Sequence, residues 1–570
     1  MFLGVSAYFH DSSVCLLSKN GQLIDYQKEE WHSRIKGDRS FPRLALEQIL
    51  KNNNQVEKKI SKVIFYERPF RAWLTVAKYT LLKYGFKNDL IFNYFKNFWN
   101  SSISFYKDLN NYIDIPDSKI LYSDHHLSHT LTSLYFKNQY PVTSVVIDGY
   151  GDHLTTSIHE VKSNNEINLI WSAKYPNSIG LFYSAITDYL GFKINEGELQ
   201  VMALASYGKP IYYEDLKKLI YLDEDKKLII NTKYFNFDKS VKKSYSNNLI
   251  KIFKAQPRSQ THKLQKEDIN FRKYANIAAS TQKVIEHLSK KIFKYAFEKT
   301  KNPNFIFSGG VALNAKLVTE ISKEKFIKSF FVPPSPGDAG SSIGAAYYGF
   351  MKSNKNKLNK NIIFNPYIGK FRDKDIYLKK ILKKISNKKN TIKTISDLIA
   401  KNEIIATCFK NIEIGPRALG HRSIICNGHD NKTLKYLNTQ VKNRSNFRPI
   451  APVMTIEILK KYFNFNEKIL NLYKSMSALA YINKKKNYKN ISPILHSDFT
   501  SRVQIVEKGQ LLYNVLKNLK QKNITILANT SFNISSDPIV YGFEDAILSI
   551  KKMGIKYLMT ENGVYKNESI

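Results

Sequence analysis

Short apolar runs separated by polar turns begin the chain and predict a strand-rich amino terminus. Three strands are expected before residue 29, the second over residues 14–17, and a fourth is expected over residues 63–66. The first polar turn carries His10 and Asp11, followed by two serines. This turn therefore presents a histidine, a carboxylate and hydroxyl groups at the end of a hairpin.

The pattern changes to a helix and then a strand between residues 119 and 152. Ser123 or Asp124 can cap the helix, and leucines recur at 127, 131 and 134, which predicts one inward face. His125 and His129 are four residues apart, so their imidazoles share an adjoining face with about 6 Å between the Cβ atoms. That spacing suits two ligands of one metal ion, although an incidental histidine pair has the same pattern.

A continuous apolar run over residues 143–147 predicts a buried strand that delivers Asp148 at its carboxyl end. Open α/β sheets bind ligands at that end, so Asp148 is a candidate third ligand. Gly149 and Gly151 follow, with Asp152 beside them. Glycines at these positions allow the backbone to turn tightly and to approach a phosphate closely.

Strand, glycine and helix signals recur farther along the first half of the chain. An amphipathic helix is followed by a polar loop over residues 195–198. A long helix over residues 274–300 leads to a short strand, after which Gly309 and Gly310 open another helix. A nucleotide can lie against backbone amides in such a place. Asp338 stands in a Pro/Gly loop before a helix of small residues, and is another carboxylate at a strand end.

The polar segment at residues 351–361 marks a domain boundary, because it is charged and nearly free of large apolar residues. We expect an amino-terminal domain over residues 1–350 and a carboxy-terminal domain over residues 362–570. Two peripheral insertions are expected in the first domain, an aromatic one near 73–113 and a Lys-rich one near 214–270. The aromatic residues are typical of packed helices, with an acceptor-stacking surface as the alternative.

Composition narrows the class of protein. A chain of 570 residues is too long for a single core, and its hydrophobic fraction of 43% is ordinary for a globular protein. The net charge of +40 comes mostly from 75 lysines, which indicates a diffuse composition bias and makes nucleic-acid binding an unfavoured interpretation. Three cysteines without CxxC spacing predict reduced thiols and a cytoplasmic protein. The sequence predicts no signal peptide and no membrane span.

Arginine is rare in this chain, and five of its arginines lie among the motifs of the last third. With only 13 arginines against 75 lysines, a cluster of arginines suggests a need for the planar, bidentate guanidinium. Five of them lie there, Arg417, Arg422, Arg444, Arg448 and Arg502. Lys442 lies among them, and a predicted strand over residues 525–527 runs into Asn529, Ser531 and Asn533. Together these residues describe a pocket for a polyanion such as a nucleoside triphosphate.

Ten motifs in this order resemble the carbamoyltransferase family that includes the tobramycin and nodulation-factor carbamoyltransferases. They are HDSS at 10–13, EE at 29–30, DHHLSH at 124–129, DGYGD at 148–152, NEGE at 195–198, GGVALN at 309–314, PPSPGDAGSSIGAA at 333–346, EIGPRALGHRS at 413–423, KNRSNFRP at 442–449 and NTSFN at 529–533. The resemblance implies an α/β protein, α+β overall. Its amino-terminal domain would be of the actin-like ATPase type, similar to the tRNA threonylcarbamoyladenosine transferase, and its carboxy-terminal domain would be YrdC-like.

The resemblance also implies an O-carbamoyltransferase with two reaction sites. In the carboxy-terminal domain, carbamoyl phosphate and ATP with Mg²⁺ would react to carbamoyladenylate. The residues that would bind them are Arg417, Lys442, Arg444, Arg448, Arg502, Asn529, Ser531 and Asn533. The adenylate would then pass to the amino-terminal domain, where the carbamoyl group would move to a hydroxyl of a small-molecule acceptor, a glycan or a secondary metabolite.

In the amino-terminal domain the resemblance implies three groups of residues. The metal ligands would be His125, His129, Asp148 and Asp338, a donor set that favours Fe²⁺, Mn²⁺ or Zn²⁺ over Mg²⁺, with Fe²⁺ as our first expectation. The nucleotide would lie near Gly149, Gly151, Glu196, Gly309, Gly310 and Asn314. His10 and Asp11 are the expected catalytic residues, with His10 as general base toward the acceptor hydroxyl.

Three positions depart from the family pattern, and two other functions compete with this interpretation. Phe-Lys-Asn at 409–411 replaces Gln-Gly-Arg, Gln200 replaces Lys, and Gly37 replaces His. The first alternative is a threonylcarbamoyl-type tRNA-modifying or RNA-binding protein, which the net charge favours and the arginine-rich carboxy-terminal motifs oppose. The second, a hydrogenase-maturation carbamoyltransferase, is excluded because three unclustered cysteines cannot form its zinc fingers.

Overall fold

The structure of the protein is a computed structural model that describes residues 1–85, 104–163, 166–240, 243–353, 364–371, 376–534 and 536–569. They form a mixed α/β fold in two compact units, which confirms the expected fold class at that level. The first unit comprises Met1–Glu29, Gly37–His262 and Ile269–Asn365; the second comprises Glu30–Lys36, Lys263–Asp268 and Pro366–Ile570. Among the described helices, none has both the length and the apolar character that crossing a membrane would need.

Two five-stranded sheets form the centre of the first unit. Its strands are Phe2–Ser6 (β1), Ser13–Leu17 (β2), Leu23–Lys28 (β3), Lys62–Phe65 (β4), Ile120–Tyr122 (β5), Val142–Gly151 (β6), Leu154–Ser163 (β7), Glu166–Lys174 (β8), Ile220–Leu222 (β9), Leu228–Ile230 (β10), Asn304–Ser308 (β11) and Ser329–Phe331 (β12). The sheet orders are β3-β2-β1-β4-β5 and β12-β11-β6-β7-β8, and β9 and β10 form a separate hairpin.

The two large sheets share one topology. In each, three consecutive strands pair antiparallel, and two later strands join in parallel beside the first of the three. Parallel neighbours need long crossover connections, which are usually helical. The first unit therefore contains the same arrangement of strands twice.

Along the chain, most helices up to residue 353 connect these strands. They are Glu29–Ser33 (α1), Arg43–Asn52 (α2), Pro69–Tyr84 (α3), Ser104–Asn110 (α4), His125–Lys137 (α5), Ile179–Tyr189 (α6), Glu198–Ala205 (α7), Tyr213–Lys217 (α8), Asn248–Phe253 (α9), Phe271–Thr300 (α10), Ala315–Ser322 (α11) and Asp338–Ser353 (α12). Most of the aromatic segment, residues 86–103, lies outside the described residues, as does the polar segment 354–363. The first residues of the predicted linker, 351–353, belong to α12.

Helix α12 packs against β1 and α5 in almost direct backbone contact. A Cβ at Gly344 would lie 1.9 Å from the carbonyl oxygen of Ser128 in α5, and a Cβ at Gly4 would lie 1.9 Å from that of Ser342 in α12. Real Cβ atoms do not approach so closely, so glycine is required at both positions. The small-residue sequence of α12 thus has a packing reason.

The second unit is built on an eight-stranded sheet. Its strands are Gly369–Lys370 (β13), Lys383–Lys384 (β14), Ile405–Thr407 (β15), Asn411–Ile412 (β16), Ser423–Asn427 (β17), Ala451–Met454 (β18), Phe463–Asn464 (β19), Ala480–Ile482 (β20), Thr500–Ser501 (β21), Gln504–Ile505 (β22), Leu527–Ser531 (β23), Tyr557–Thr560 (β24) and Gly563–Lys566 (β25). The large sheet has the order β14-β25-β24-β15-β17-β23-β18-β22.

Two helices pack together on that sheet and close the core of the second unit. The helices of this part of the chain are Ile376–Ile381 (α13), Thr391–Ala400 (α14), Asn431–Tyr436 (α15), Ile456–Tyr462 (α16), Leu470–Lys474 (α17), Leu511–Leu519 (α18) and Phe543–Met553 (α19). Ile395 and Ile399 of α14 and Val515 and Leu519 of α18 are fully buried in one apolar cluster with strand residues such as Ile425.

A short segment from the start of the chain belongs to the second unit. Trp31 stacks on Tyr541 with 5.9 Å between ring centroids. Arg34 donates to the carbonyl oxygens of Pro538 and Ile539 at 3.1 and 3.0 Å and pairs with Asp545 at 3.3 Å. A stacked aromatic pair and a bidentate guanidinium hold this segment in place.

Three sequence predictions about elements were wrong in detail. Strand β6 extends to Gly151, so Asp148 lies inside the strand and not after its end. Likewise β23 begins at Leu527 and includes Asn529 and Ser531, which the sequence analysis placed after the strand. In both cases polar side chains inside a buried strand hid its length. Helix α5 is buried on nearly every side, not on one face, since the residues from His125 to Phe136 are buried except half-buried Leu127.

Candidate functional site

The start of α5 is fixed by a carboxylate that is distant along the chain. Asp152 accepts hydrogen bonds from the backbone N–H groups of His125 at 2.7 Å and Arg68 at 2.6 Å. Asp124 is the N-cap residue but its side chain makes no capping bond, and it pairs with Arg68 and Arg71 at 2.8 Å each. The predicted local cap was therefore wrong, and Asp152 stabilises the orphan donor at the helix start.

The four predicted metal ligands converge. One ligand atom from each of His125, His129, Asp148 and Asp338 lies within 4.8 Å of the others, and all four residues are buried. The two Nε2 atoms are 3.1 Å apart. Oδ2 of Asp148 lies 2.9 Å from Nε2 of His129 and 3.4 Å from that of His125, and Oδ1 of Asp338 lies 3.4 and 3.7 Å from the same two atoms.

These separations fit a single divalent cation. Donors about 2.0 to 2.2 Å from one ion stand roughly 2.9 to 3.5 Å from each other at coordination angles between square and tetrahedral. Two imidazoles and two carboxylates also carry the net charge that balances a dication. Oδ2 of Asp338 is buried without a hydrogen-bond partner among the described residues, and a bound cation would satisfy it.

Neighbouring groups orient the ligands. Nδ1 of His129 lies 3.2 Å from the hydroxyl of Ser341, and Nδ1 of His125 lies 3.5 Å from Oε2 of Glu67. Oδ1 of Asp148 accepts from the N–H groups of Gly149 at 2.7 Å and Gly310 at 3.2 Å. Such contacts set ring orientation and hold a carboxylate in place.

Asp148 reaches the cluster because β6 is irregular. The pairing of β6 with β7 shifts register between Ile147 and Gly151, a bulge that redirects the intervening side chains. A Cβ at Gly151 would lie 2.1 Å from Cδ2 of His125, whereas a Cβ at Gly149 would have its nearest neighbour at 3.9 Å. Gly151 thus makes room for an imidazole, which the sequence analysis explained only as room for a phosphate.

The opposing charges in the cluster shift its pKa values. Burial works against ionisation, but Asp338 and the hydrogen bond that His125 donates to Asp148 hold the pKa of His125 well above its usual value. Burial would raise the pKa of Asp148, yet His125 and His129 hold it well below its usual value. Burial would likewise lower the pKa of His10, but Asp338 and Asp11 raise it to about 10.

The predicted catalytic pair lies beside this cluster. Nδ1 of His10 is 3.0 Å from Oδ2 of Asp11, and its Nε2 is 3.6 Å from Oδ2 of Asp338. Asp11 has a left-handed backbone with φ of 52°, a conformation found in turns. His10 therefore points toward the ligand carboxylate from the end of the β1–β2 hairpin.

The residues predicted to bind the nucleotide differ in their contacts with the four-ligand cluster. Gly310 contacts Asp148, as described, and Gly309 donates its N–H to the carbonyl oxygen of Pro336 at 2.9 Å. Asn314 caps α11 by accepting from Leu317 at 3.0 Å, and its amide pairs with Gln282 at 2.8 Å. The side chain of Glu196 pairs with Lys193 near the surface.

Sequence reasoning missed two carboxylates near the cluster. Glu198 follows Glu196 in the same loop, accepts from Ser184 at 2.9 Å, and has a pKa that burial raises and the charge of His10 lowers. Glu67 follows β4 and was given no role. The strand end before Glu67 was the available signal, because a polar residue after a buried strand is a candidate ligand position.

Predicted polyanion-binding cations also cluster in the second unit. Burial lowers the pKa of Arg417, and the nearby charges of Arg502 and Arg448 lower it further. Burial and the same two neighbours lower the pKa of Arg444. Burial and Arg448 lower that of Arg502 to about 10. The charges of Arg448 and Arg502 thus act on both Arg417 and Arg444, as expected if these arginines share one region of the second unit.

Lys442 and three residues of the 529–533 segment are held by internal hydrogen bonds. Nζ of Lys442 donates to the carbonyl oxygens of Ser531 and Asn533 and to Oδ1 of Asn533 at 2.8 Å. An ammonium has three donors, so Lys442 fastens its loop to the end of β23. Asn529 donates to Ala418 and Gln504 at 2.9 and 2.8 Å, and its Oδ1 is buried without a partner among the described residues.

Arg422 does not join the guanidinium cluster. Its side chain is fully buried, and it donates to the carbonyl oxygens of Phe409, Val540 and Tyr541. The N–H groups of its guanidinium satisfy backbone carbonyl acceptors. Arg422 therefore uses the geometry of its guanidinium to hold the backbone of the second unit together.

Comparisons with known proteins identify the family of the chain. The family model described as carbamoyltransferase N-terminus matches residues 1–347, and that described as carbamoyltransferase C-terminus matches residues 396–567. An uncharacterised Synechocystis protein, sll1178, is 29% identical over 99% of this chain and 96% of its own length.

Two relatives with descriptive names are more distant. The nodulation protein NolNO of Sinorhizobium fredii is 24% identical over 95% of this chain and 77% of its own length. The 3'-hydroxymethylcephem-O-carbamoyltransferase of Streptomyces clavuligerus is 26% identical over 42% of this chain and 44% of its own length. Because the two family models together cover most of the sequence, the chain belongs to the carbamoyltransferase family, and it is a transferase.

Proposed function

We propose that this carbamoyltransferase converts carbamoyl phosphate, ATP and water to carbamoyladenylate, phosphate and pyrophosphate in the second unit. It would then transfer the carbamoyl group from the adenylate to an acceptor hydroxyl in the first unit, with AMP as the leaving group. The observation that carries the proposal is the convergence of four buried ligand atoms within 4.8 Å beside His10. The acceptor class, a hydroxyl of a glycan or a secondary metabolite, is suggested by the named relatives. Apart from the net charge of +40, no observation favours the tRNA-modifying alternative.

The four ligands would hold Fe²⁺, Mn²⁺ or Zn²⁺, which would supply a Lewis acid for the carbamoyl group and offset the charge of Asp338. The chain's own residues do the remaining work. A cation held by Asp338 and Asp148 would offset the carboxylate charge that raises the pKa of His10, so its imidazole could lose its proton. His10 would then accept the proton of the acceptor hydroxyl, and Asp11 at 3.0 Å would orient its imidazole. The adenosine of the adenylate would lie near Gly309, Gly310 and Asn314, with Glu196 on the ribose side.

In the second unit Arg417, Arg444, Arg448 and Arg502 would bind the phosphates of ATP and carbamoyl phosphate. Their clustered charge would offset the repulsion between two polyanions and stabilise charge on the transferring oxygens. The pKa directions support this role, because burial and the charges of Arg448 and Arg502 lower the pKa of both Arg417 and Arg444. Lys442 would position the loop that carries Arg444 and Arg448.

We also propose that the first unit has an actin-like ATPase fold and the second a YrdC-like fold. The repeated strand arrangement of the first unit supports the former, since two copies of one sheet topology are expected of an actin-like protein. The division at residues 365 and 366 is near the proposed boundary of the two domains.

The test separates the two half-reactions. Without acceptor, the wild-type chain supplied with metal, ATP and carbamoyl phosphate should release pyrophosphate. His125→Ala should keep that release but abolish carbamoylation of an acceptor panel read by mass, whereas Arg444→Ala should lose pyrophosphate release.

Two outcomes would contradict the proposal. Absence of ATP turnover in the metal-loaded wild type would exclude carbamoyladenylate formation. A His125→Ala chain that carbamoylates acceptors normally would show the cluster to be structural. His126→Ala is the matched control for the latter, because His126 is equally buried in α5 but bonds Ser157 at 2.8 Å and lies outside the four-ligand set.

A further inference from the structure

The loop over residues 442–449 divides its side chains between two tasks. Lys442, Arg444 and Arg448 belong to the cation cluster described above. Asn443 and Asn446 lie between these cations in the sequence and bind a different segment of the second unit. Asn443 has a left-handed φ of 42°, which asparagine tolerates better than most residues. The cations therefore alternate with amides that can hold the loop from another direction.

The amides are held by Lys263–Asp268, the six-residue segment of the second unit that lies between α9 and α10 in the chain. We call this segment the strap. Nζ of Lys263 donates to the backbone and side-chain oxygens of Asn443, both at 3.0 Å. The N–H of Lys266 donates to Oδ1 of Asn446 at 3.0 Å. The strap thus contacts both amides of the loop.

Asn446 has the most complete set of contacts. Its backbone N–H donates to Oε1 of Gln265 at 2.9 Å, and its Nδ2 donates to both carboxylate oxygens of Glu267 at 3.0 and 2.8 Å. With the bond from Lys266, both ends of the side-chain amide and the backbone donor are engaged by three consecutive strap residues. A surface contact made by chance would not satisfy one asparagine so fully.

The strap itself is anchored. Leu264 is buried, although its neighbours Lys263 and Lys266 are exposed. The N–H of Gln265 donates to Oδ2 of Asp268 at 2.9 Å, which closes the strap into a turn. A buried apolar residue and a closed turn give the strap a defined conformation from which to hold the loop.

We propose that the strap is a positioning element for the polyanion-binding loop, with Gln265 and Glu267 as its positioning residues. This inference rests on the proposed function. A free loop would lose conformational freedom on binding ATP or carbamoyl phosphate, and a loop held in advance through Asn443 and Asn446 has already lost it. The strap contributes to affinity without touching the ligands. It is part of what the sequence presented as a peripheral Lys-rich insertion.

The experiment compares ligand binding in matched full-length variants. Isothermal titration with Mg²⁺-ATP and with carbamoyl phosphate should show about tenfold weaker binding for the Gln265→Ala, Glu267→Ala double variant. In pyrophosphate release the KM values should rise similarly while kcat changes less than twofold. Gln265→Glu, which keeps an acceptor oxygen for the N–H of Asn446, should retain the affinity when Glu267 is intact.

The control is Glu507→Ala, which removes an exposed ion pair with Lys474 at 2.9 Å in the same unit. Three outcomes would overturn the strap proposal. The double variant could bind both ligands with unchanged affinity, Glu507→Ala could lose as much affinity as the double variant, or Gln265→Glu could lose as much as the double variant. Wild-type protein that binds both ligands but releases no pyrophosphate would exclude the proposed activation and leave the strap inference standing. Wild-type protein that binds neither ligand would overturn both.

Discussion

The contact between Gly151 and His125 provides the sharpest test of the proposed metal centre. In a Gly151→Ala variant the new Cβ would lie 2.1 Å from Cδ2, 2.2 Å from Cγ and 2.6 Å from Nε2 of His125. Ordinary carbon contacts begin near 3.4 Å, so the ring must retreat by roughly 1 Å. Metal–ligand distances tolerate about 0.2 Å. We therefore expect His125 to be lost as a ligand while three ligands remain.

The expected magnitude follows from that displacement. Overpacking of this kind costs about 1 to 3 kcal/mol of folding free energy, and misplacing a ligand should weaken metal binding by at least the 10- to 100-fold typical of lost orienting groups. Competition with a fluorescent chelator for Zn²⁺ or Mn²⁺ measures the affinity, and chemical denaturation measures the stability. Carbamoyl transfer should fall while pyrophosphate release stays normal.

Gly149→Ala is the matched control, because the nearest atom to its Cβ would lie at an ordinary 3.9 Å. It should bind metal within about twofold of wild type, since no group has to move. Equal metal affinity in Gly151→Ala and Gly149→Ala would refute the geometric argument. So would a Gly151→Ala chain that loses stability but keeps wild-type affinity, because the imidazole would then not be a ligand.

Three further outcomes are expected. Arg422→Met should destabilise the second unit by about 3 kcal/mol or more in denaturant unfolding, since buried carbonyl acceptors lose their donor; a change under about 0.5 kcal/mol would contradict this. Asp238→Asn should loosen α3, because buried Asp238 accepts hydrogen bonds from Lys83, Tyr79 and Tyr84. Amide hydrogens in residues 76–84 should then exchange faster, and unchanged exchange would contradict this prediction. Burial lowers the pKa of His159 to about 4, so the unfolded chain takes up this proton first and stability is lost as pH falls from about 6.5 to 4. The His159→Gln variant should therefore lose about 3 kcal/mol less free energy of unfolding than the wild type over that pH range. Free energies of unfolding that change in parallel with pH in the two proteins would disprove this.

The sequence predicts local parts of the site well. The four-residue spacing of His125 and His129 follows from helix geometry alone, and the buried run before Asp148 predicts a strand. The approach of Asp338 depends on how α12 packs against α5, which a residue pattern does not encode. The resemblance to a family supplied that ligand, and the geometry is consistent with it.

Contacts between distant segments explain the other failures. Asp152 replaces the predicted local cap because the β6–β7 turn happens to reach the start of α5. The strap has an exposed, polar sequence with one apolar residue, Leu264, so nothing in its pattern distinguishes it from a surface insertion. Polar residues within strands were assigned to loops, since alternation is lost where both faces of a strand are covered.

Helix α12 has a consequence for which ions the centre accepts. Its backbone lies against that of α5 at Gly344 and that of β1 at Gly4, so it cannot slide or rotate without separating those elements. Its amide hydrogens should exchange only when the whole unit opens. Asp338 begins this helix, and its distance from His129 is therefore set by the scaffold. A ligand held this rigidly makes the site selective for ionic radius. The ligands cannot move closer together around a smaller ion, and they cannot move apart to admit a larger one.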